Sequence, residues 1–364
     1  MSFEKICIIG TGLIGASLAL AFRRHNIGDE IVGIDFPDVL AKAIDQNIID
    51  KGFTRETMAN YVAQADLIIL ATNIQQIILD LKNIAPILKK ETLVTDVGSS
   101  KAIIADVAVR SFLHSGYFIG GHPMAGSEKS GLEAADPFLF ENCFYILTPM
   151  KNTPALLLNK LVNVLELIGA KVLILDACLH DKIAAAVSHL PQMLAIKLVN
   201  LIEKYNQQEP NYLKLAAGGF RDMTRIASSP YYMWEDICQT NADNILKMID
   251  EYIAELQELK KSVRDLSLKE EFEKAAKTRL SIPKDTKGFI HPNYDITVVV
   301  KDEPGVIAKI ANTLFDKKIN IRDIEVLKVR LLEGGTLRLS FESEKNRETA
   351  IASLTEQGFF CRKR

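Results

Sequence analysis

His122 stands in the stretch Gly120 to Gly131, GGHPMAGSEKSG, where a short hydrophobic strand read as Tyr117 to Gly120 gives way to a glycine-rich turn. An imidazole at the carboxyl end of a strand in an open α/β sheet faces the crevice where such sheets bind ligands, and it changes charge near neutral pH. That makes His122 the leading candidate for a proton acceptor. A histidine beside Gly and Pro also serves as a plain turn residue, so its company decides. Upstream, Gly10, Gly12 and Gly15 form GTGLIG between the strand KICIIG and an alanine-rich helical stretch reaching about Arg24. There the first glycine permits the tight turn, the second lets a pyrophosphate approach the backbone, and the third lets helix and strand pack closely. Thr11, Leu13 and Ile14 complete this loop, and the helix N-terminus faces the phosphates. Downstream, AGGFRDMTRIASSPYYMW (Ala217 to Trp234) carries Arg221 and Arg225, cations that either hold an anionic substrate or lie on a solvated helix face.

Asp35 ends the next strand, EIVGID, twenty positions after Gly15. A carboxylate there suits the ribose diol of NAD and repels the 2′-phosphate of NADP, and neither Phe36 nor Pro37 supplies an arginine to accept one. NAD is therefore the expected cofactor. Thr72 and Asn73, closing ADLIILAT, and Ser99, after ETLVTDV, should border the same crevice. No metal is expected, because Cys7, Cys143, Cys178, Cys238 and Cys361 are scattered, without a CxxC pair or a zinc-like His spacing. They read as reduced thiols.

The elements that must position these groups follow from hydrophobic periodicity. From Lys5 to about Leu175, Ile/Val/Leu runs alternate with helical stretches, which predicts a doubly wound Rossmann-type α/β sheet of parallel strands over residues 1–178. Long helical periodicities follow, clearest in His180 to Tyr205 and Met233 to Leu268, and predict an all-helical middle domain, 179–280. His180 and His189, nine positions apart, fall on roughly opposite helix faces at about 100° per residue; His189 reads as a satisfied core histidine near the cleft. From about Lys274 a charged, proline-broken stretch reads as a linker, placed at 281–293. A last α+β unit, 294–364, has the order βαββα with a short final strand, FFCRK.

Composition is that of a globular chain: 364 residues, 48% hydrophobic and 25% charged. The balance of 44 basic against 46 acidic side chains gives a formal charge of -2, which leaves no global case for nucleic acid or an anionic membrane as partner. No apolar run reads as long enough to span a bilayer, and Met1 to Glu4 leads straight into a strand without room for a signal peptide. A cytoplasmic location is expected. The middle helices are more apolar than one lobe needs, which predicts a homodimer.

GTGLIG, DVGSSK, GGHPMAGSE, HDKIAAAVSHLP and GGFRDMTRIASSPYYMW occur in that order, and together they resemble the prephenate dehydrogenase family of tyrosine biosynthesis. The segment VVVKDEPGVIAKIANTL looks like the ACT regulatory domain that some members append. The resemblance implies NAD-dependent oxidative decarboxylation of prephenate to 4-hydroxyphenylpyruvate. His122 would take the proton of the C4 hydroxyl, Ser99 would orient that hydroxyl, and Arg225 would bind a substrate carboxylate. Arg221, Gly218, Trp234 and Glu128 would lie at the substrate pocket. Gln192 would join them, in a position where many relatives carry a histidine; glutamine donates a hydrogen bond but does not titrate. In the ACT-like unit, Asp302, Pro304, Gly305, Val306, Asn320 and Ile321 would form an amino-acid site, with L-tyrosine as the expected effector. An arogenate or cyclohexadienyl dehydrogenase would use the same histidine and arginines, and a non-catalytic amino-acid sensor would use neither.

Overall fold

The computed structural model describes residues 3–112, 116–125, 130–282, 294–301, 303–330 and 334–363. Residues 1–282 form one compact unit and 283–364 a second. In the first, β1 (Lys5–Ile9), β2 (Glu30–Ile34), β3 (Lys51–Phe53), β4 (Leu67–Leu70), β5 (Leu93–Asp96), β6 (Tyr117–Pro123), β7 (Phe144–Pro149) and β8 (Lys171–Ile174) share one sheet. Their order is β3-β2-β1-β4-β5-β6-β7-β8. The helices α1 (Leu13–Arg24), α2 (Pro37–Asp45), α3 (Ala59–Val62), α4 (Ile74–Ile84), α5 (Ala102–Ser111) and α6 (Ala155–Leu167) connect the strands. Side chains alternate across the sheet, so Ile6 and Ile8 enter one core and Cys7 and Ile9 the other. Burial on both faces is why these strands read as unbroken apolar runs.

Two expectations change here. The pairing is parallel only as far as β6; β7 runs antiparallel to β6, and β8 runs parallel to β7. Among the described residues of the β6 to β7 connection there is only a short 3₁₀ turn, Leu132–Ala134, and no crossover helix of the kind that returns a strand parallel. The second change concerns β6 itself, which does not stop at Gly120 but continues through His122, paired with Ile146. The candidate base therefore sits in a strand, held by the sheet, and not in a turn.

The helical part comprises α7 (Ala177–Ala184), α8 (Leu190–Asn206), α9 (Asn211–Lys214), α10 (Gly218–Thr224), α11 (Tyr231–Thr240), α12 (Ala242–Asp265) and α13 (Lys269–Ser281). A π-helical turn, Ala185–His189, joins α7 to α8. The resulting run, Ala177–Asn206, is long and apolar enough to cross a bilayer by length and composition, which corrects the expectation that no such run exists. Its buried His180, Asp181, His189 and Gln192 serve the cleft instead. The periodicity read as continuous from Met233 to Leu268 is interrupted at Asn241, whose side-chain amide turns inward to the Asp181 carbonyl (2.8 Å) and His189 Nδ1 (3.2 Å). Asparagine favours such competing bonds over helix continuation. Conversely, the charged stretch from Lys274, read as the start of a linker, is helical to Ser281, since Lys, Glu, Ala and Arg are strong helix formers. Residues 283–293 of the expected linker lie outside the described residues.

In the second unit β9 (Tyr294–Val300), α14 (Val306–Asp316), β10 (Asp323–Arg330), β11 (Gly334–Phe341), α15 (Glu344–Glu356) and β12 (Phe360–Lys363) give the expected βαββαβ order. The sheet order is β10-β11-β9-β12, all neighbours antiparallel. Ile296, Val298, Ile310, Leu314, Leu339 and Phe341 make its core.

Packing of the first turn of α1 against the sheet depends on one close approach. A Cβ on Gly15 would lie 2.0 Å from the Gly10 carbonyl oxygen, so the helix would have to move. Gly15→Ala should therefore destabilise the first unit by about 1–3 kcal/mol, the usual cost of overpacking, read as a lower urea midpoint at unchanged slope. An unchanged midpoint would contradict this packing.

Candidate active site in the sheet cleft

The nucleotide end of the cleft is built by β1, α1, β2 and β4. Gly10 adopts φ +97°, turning the chain sharply at the end of β1, while a Cβ on Gly12 would meet nothing within 4 Å, leaving room at the N-terminus of α1. Asp35 follows β2, and its Oδ2 accepts from Thr11 N (2.6 Å) and Thr11 Oγ1 (3.0 Å). The carboxylate is thereby fixed against the glycine turn. A cavity of 440 Å³ opens beside it, lined by Gly10, Asp35, Phe36, Arg55, Thr72 and Asn73 among others. Thr72 Oγ1 is buried there without a hydrogen-bond partner among the described residues. Asn73 caps α4 by accepting from Gln76 N (2.8 Å), a structural task that its position at the crevice did not suggest. These features fit a dinucleotide: open backbone donors at a helix start, a carboxylate for a diol, and an unsatisfied hydroxyl on the wall. The sequence reading missed Arg55, which enters from beyond β3 and is ion-paired with the buried Asp80. Only the fold brings it to Asp35, twenty residues away in the chain.

The reactive end lies between β5, β6 and α7. Asp96 ends β5 and Lys101 precedes α5, so the two bracket the loop that carries Ser99. Their side chains are fully buried and ion-paired. Asp96 Oδ1 accepts from Gly121 N (3.1 Å) and Lys101 Nζ donates to the Gly121 carbonyl (2.8 Å), which pins the Ser99 loop to the strand bearing His122. Burial lowers the Lys101 pKa, against the opposing pull of Asp96 and Asp181.

His122 is partly exposed to the cleft, and its Nδ1 lies 2.8 Å from His180 Nε2. His180 Nδ1 in turn meets Asp181 Oδ1 at 2.8 Å. Asp181 also accepts from the backbone N–H of Lys101 (2.7 Å) and Ala102 (2.9 Å), at the start of α5. Desolvation, and then the neighbouring His180, Lys101 and His189, hold the His122 pKa well below its ordinary value, so the ring is neutral at pH 7. His189 is the satisfied core histidine expected from its sequence context. It bonds Asn241 and meets the Trp234 ring edge-on at 5.9 Å, and burial lowers its pKa to about 4. The expectation that His180 and His189 face opposite ways is corrected, because both bear on His122; the π-helical turn between them shifts the register of the second.

The remaining candidates divide. Gln192 is 1% exposed with its Nε2 unpartnered among the described residues, a donor left for something in the cleft. Trp234 packs between His189 and the second core, on the helix that docks onto the sheet lobe through Asp236 to Gln75 N (3.2 Å) and Thr240 to Ser100 (2.7 Å). Arg225 follows α10, at the start of a 3₁₀ turn, and like Arg221 and Gly218 is exposed in the single chain. Glu128 lies outside the described residues. In the second unit, Gly305 at φ +89° starts α14, with Pro304 and Val306 beside it; Asn320 and Ile321 precede β10, Ile321 packing on the core. Asp302 lies outside the described residues. His180, Asp181, Asp96 and Lys101 went unread as site residues, although polar side chains in otherwise apolar runs were the available signal.

A doubly wound sheet with a glycine turn at its first helix, and an imidazole near the carboxyl end of β6 in the same sheet, defines a dinucleotide-binding protein with a neutral imidazole in its cleft. Residues 18–174 match the family model "Prephenate dehydrogenase, nucleotide-binding domain", 176–278 "Prephenate dehydrogenase, dimerization domain" and 294–354 "ACT domain". The chain is 38% identical to the prephenate dehydrogenase of Bacillus subtilis (strain 168) over 352 residues, 95% of this chain and 94% of that one. It belongs to the prephenate dehydrogenase family. Among solved structures, that of Aquifex aeolicus prephenate dehydrogenase in complex with hydroxyphenyl propionate and NAD+ is 34% identical, with a TM-score of 0.72 over 78% of this chain and 99% of that one. Synechocystis arogenate dehydrogenase is 31% identical, with a TM-score of 0.65, covering 76% and 98%.

Lys101→Met would leave Asp96 as an uncompensated buried charge, a change that typically costs about 3–5 kcal/mol. The expected outcome is a lower urea midpoint, and an unchanged one would show that the pair does not hold the Ser99 loop to β6.

Proposed function

We propose that this protein catalyses the NAD-dependent oxidative decarboxylation of prephenate to 4-hydroxyphenylpyruvate in L-tyrosine biosynthesis. The observation that carries this reading is the bonding of His122: with Nδ1 engaged by His180, Nε2 is the ring nitrogen left to accept a proton in the cleft. When bound, NAD supplies the hydride acceptor for the substrate C4 carbon. The turn Gly10, Thr11, Gly12, Leu13, Ile14 and Gly15 holds its pyrophosphate, Asp35 its ribose, and Thr72 offers a hydroxyl. His122 takes the C4 hydroxyl proton as that carbon becomes carbonyl-like, Ser99 orients the hydroxyl, and loss of the ring carboxylate as carbon dioxide leaves an aromatic ring. Arg225 pairs with a substrate carboxylate, with Arg221, Gln192, Gly218, Trp234 and Glu128 around it.

The protein acts as a homodimer in this reading. Leu246, Ile253, Leu256, Leu259 and Val263 form an exposed stripe along α12 that a second copy would cover. The ACT domain binds a small molecule, for which L-tyrosine is proposed, at the turn Asp302 to Val306 with Asn320 and Ile321. A cytoplasmic location suits the free thiols of all five cysteines. Arogenate is the alternative substrate, favoured by the likeness to the Synechocystis enzyme.

Initial NADH formation with prephenate and with arogenate, each with and without L-tyrosine, tests the reading; it expects prephenate to be faster and tyrosine to slow it. Faster turnover of arogenate would reverse the substrate assignment, and no NADH from either would end the enzymatic one. His122→Asn should lower kcat by roughly 10² to 10⁴ with NAD affinity kept. Arg225→Ala should raise KM by about 10- to 100-fold, the worth of a charged hydrogen bond, without weakening NAD binding. Equal loss of both affinities would indicate a misfolded variant.

A further inference from the structure

The mechanism above leaves a difficulty at His122. Desolvation and three neighbouring basic side chains, His180 from α7, Lys101 ahead of α5 and His189 from the π-helical turn, all disfavour the protonated ring. A base so placed is weak unless something offsets the positive charge it acquires. Asp181 is the carboxylate in reach of that task, connected to His122 through His180.

With His180 neutral, the hydrogen bonds also assign the ring protons. Asp181 accepts from Lys101 N, Ala102 N and His180 Nδ1, so each of its partners is a donor and the carboxylate needs no proton of its own. His180 Nδ1 therefore carries hydrogen, and in the neutral ring Nε2 is then an acceptor. His122 Nδ1, 2.8 Å away, must donate to it, which leaves the lone pair of His122 on Nε2. The ring centroids lie 5.0 Å apart with the planes inclined at 71°, a separation that lets the two nitrogens meet edge to edge in an N–H···N bond. His180 and Asp181 are each 1% exposed, so water does not compete for these positions.

We propose that His180 and Asp181 are positioning residues for the base: they hold His122 in the tautomer with Nε2 free, and they stabilise the imidazolium that forms when it takes the substrate proton. The O–H bond of the C4 hydroxyl breaks as the Nε2–H bond forms; Nδ1–H stays bonded to His180, and the new positive charge faces Asp181 across one neutral imidazole. Two backbone donors at the start of α5 hold that carboxylate still, so the relay costs no reorganisation during the step. The arrangement follows the logic of base plus orienting carboxylate, with a second imidazole between them.

The proposal rests on the reaction assigned above, and its first test does not. In protein labelled with ¹⁵N-histidine, without substrate or cofactor, His122 should show a protonated Nδ1 and an unprotonated Nε2 at neutral pH. An Nε2–H tautomer in the wild type would overturn the proposal whatever the enzyme turns over. With turnover of prephenate by the wild type in hand, His180→Leu should lower kcat by roughly 10²-fold or more with KM for NAD kept, since the ring loses its acceptor. His180→Gln should recover part of that, because the amide oxygen accepts the same N–H. Asp181→Asn should lower kcat and move the acid limb of the kcat/KM profile to lower pH, because removing the negative charge makes the protonated ring less stable. An acid limb that does not move, or a His180→Leu variant with wild-type kcat, would refute the role.

Discussion

A single ammonium group inside the protein holds the cleft together. The Lys101 side chain is fully buried, is ion-paired with Asp96 and donates to the Gly121 carbonyl. A charge so buried is tolerable only with its partners in place. Three pieces of chain are thus locked into one geometry: the end of β5, the Ser99 loop and the strand that presents His122. The backbone N–H of the same lysine donates to Asp181, which extends the lock to α7 and the helical part. Sheet and helices then meet at His122, His180 and Asp181.

The nucleotide end works by the opposite principle. There the backbone is arranged around space, with an open side at Gly12, a carboxylate already bound by Thr11, and a wall hydroxyl without a partner among the described residues. The first region spends burial on rigidity, and the second leaves donors and acceptors for a ligand to satisfy. A hydride-transfer enzyme needs both, since a mobile cofactor must arrive against a base that does not move.

Much of this was legible in the chain. The glycine turn, Asp35 and the alternation of strands and helices are local patterns, and each predicted its element because the period of apolar residues reports which faces are buried. The βαββαβ order of the last unit was equally plain. The errors lay where a local pattern was ambiguous. Gly121 looked like the start of a turn, yet it lies inside β6, where the neighbouring strand leaves no room for a side chain: a Cβ there would lie 2.5 Å from the Asp96 carbonyl oxygen. Asn241 looked like one more residue of a long helix, and breaks it by bonding inward.

By itself the sequence determined which residues are chemically able to act: a histidine that titrates, arginines that stay charged, glycines that admit a phosphate, a carboxylate suited to a diol. Tertiary structure alone decided which of them meet. His122 and His180 are 58 positions apart, and Asp96 and Asp181 lie 85 apart, yet they form one hydrogen-bonded assembly with Lys101. No periodicity encodes such a pairing. It arises from strand order and from the packing of α7 against α5, because a hydrogen bond depends on distances of about 3 Å that only the folded chain sets.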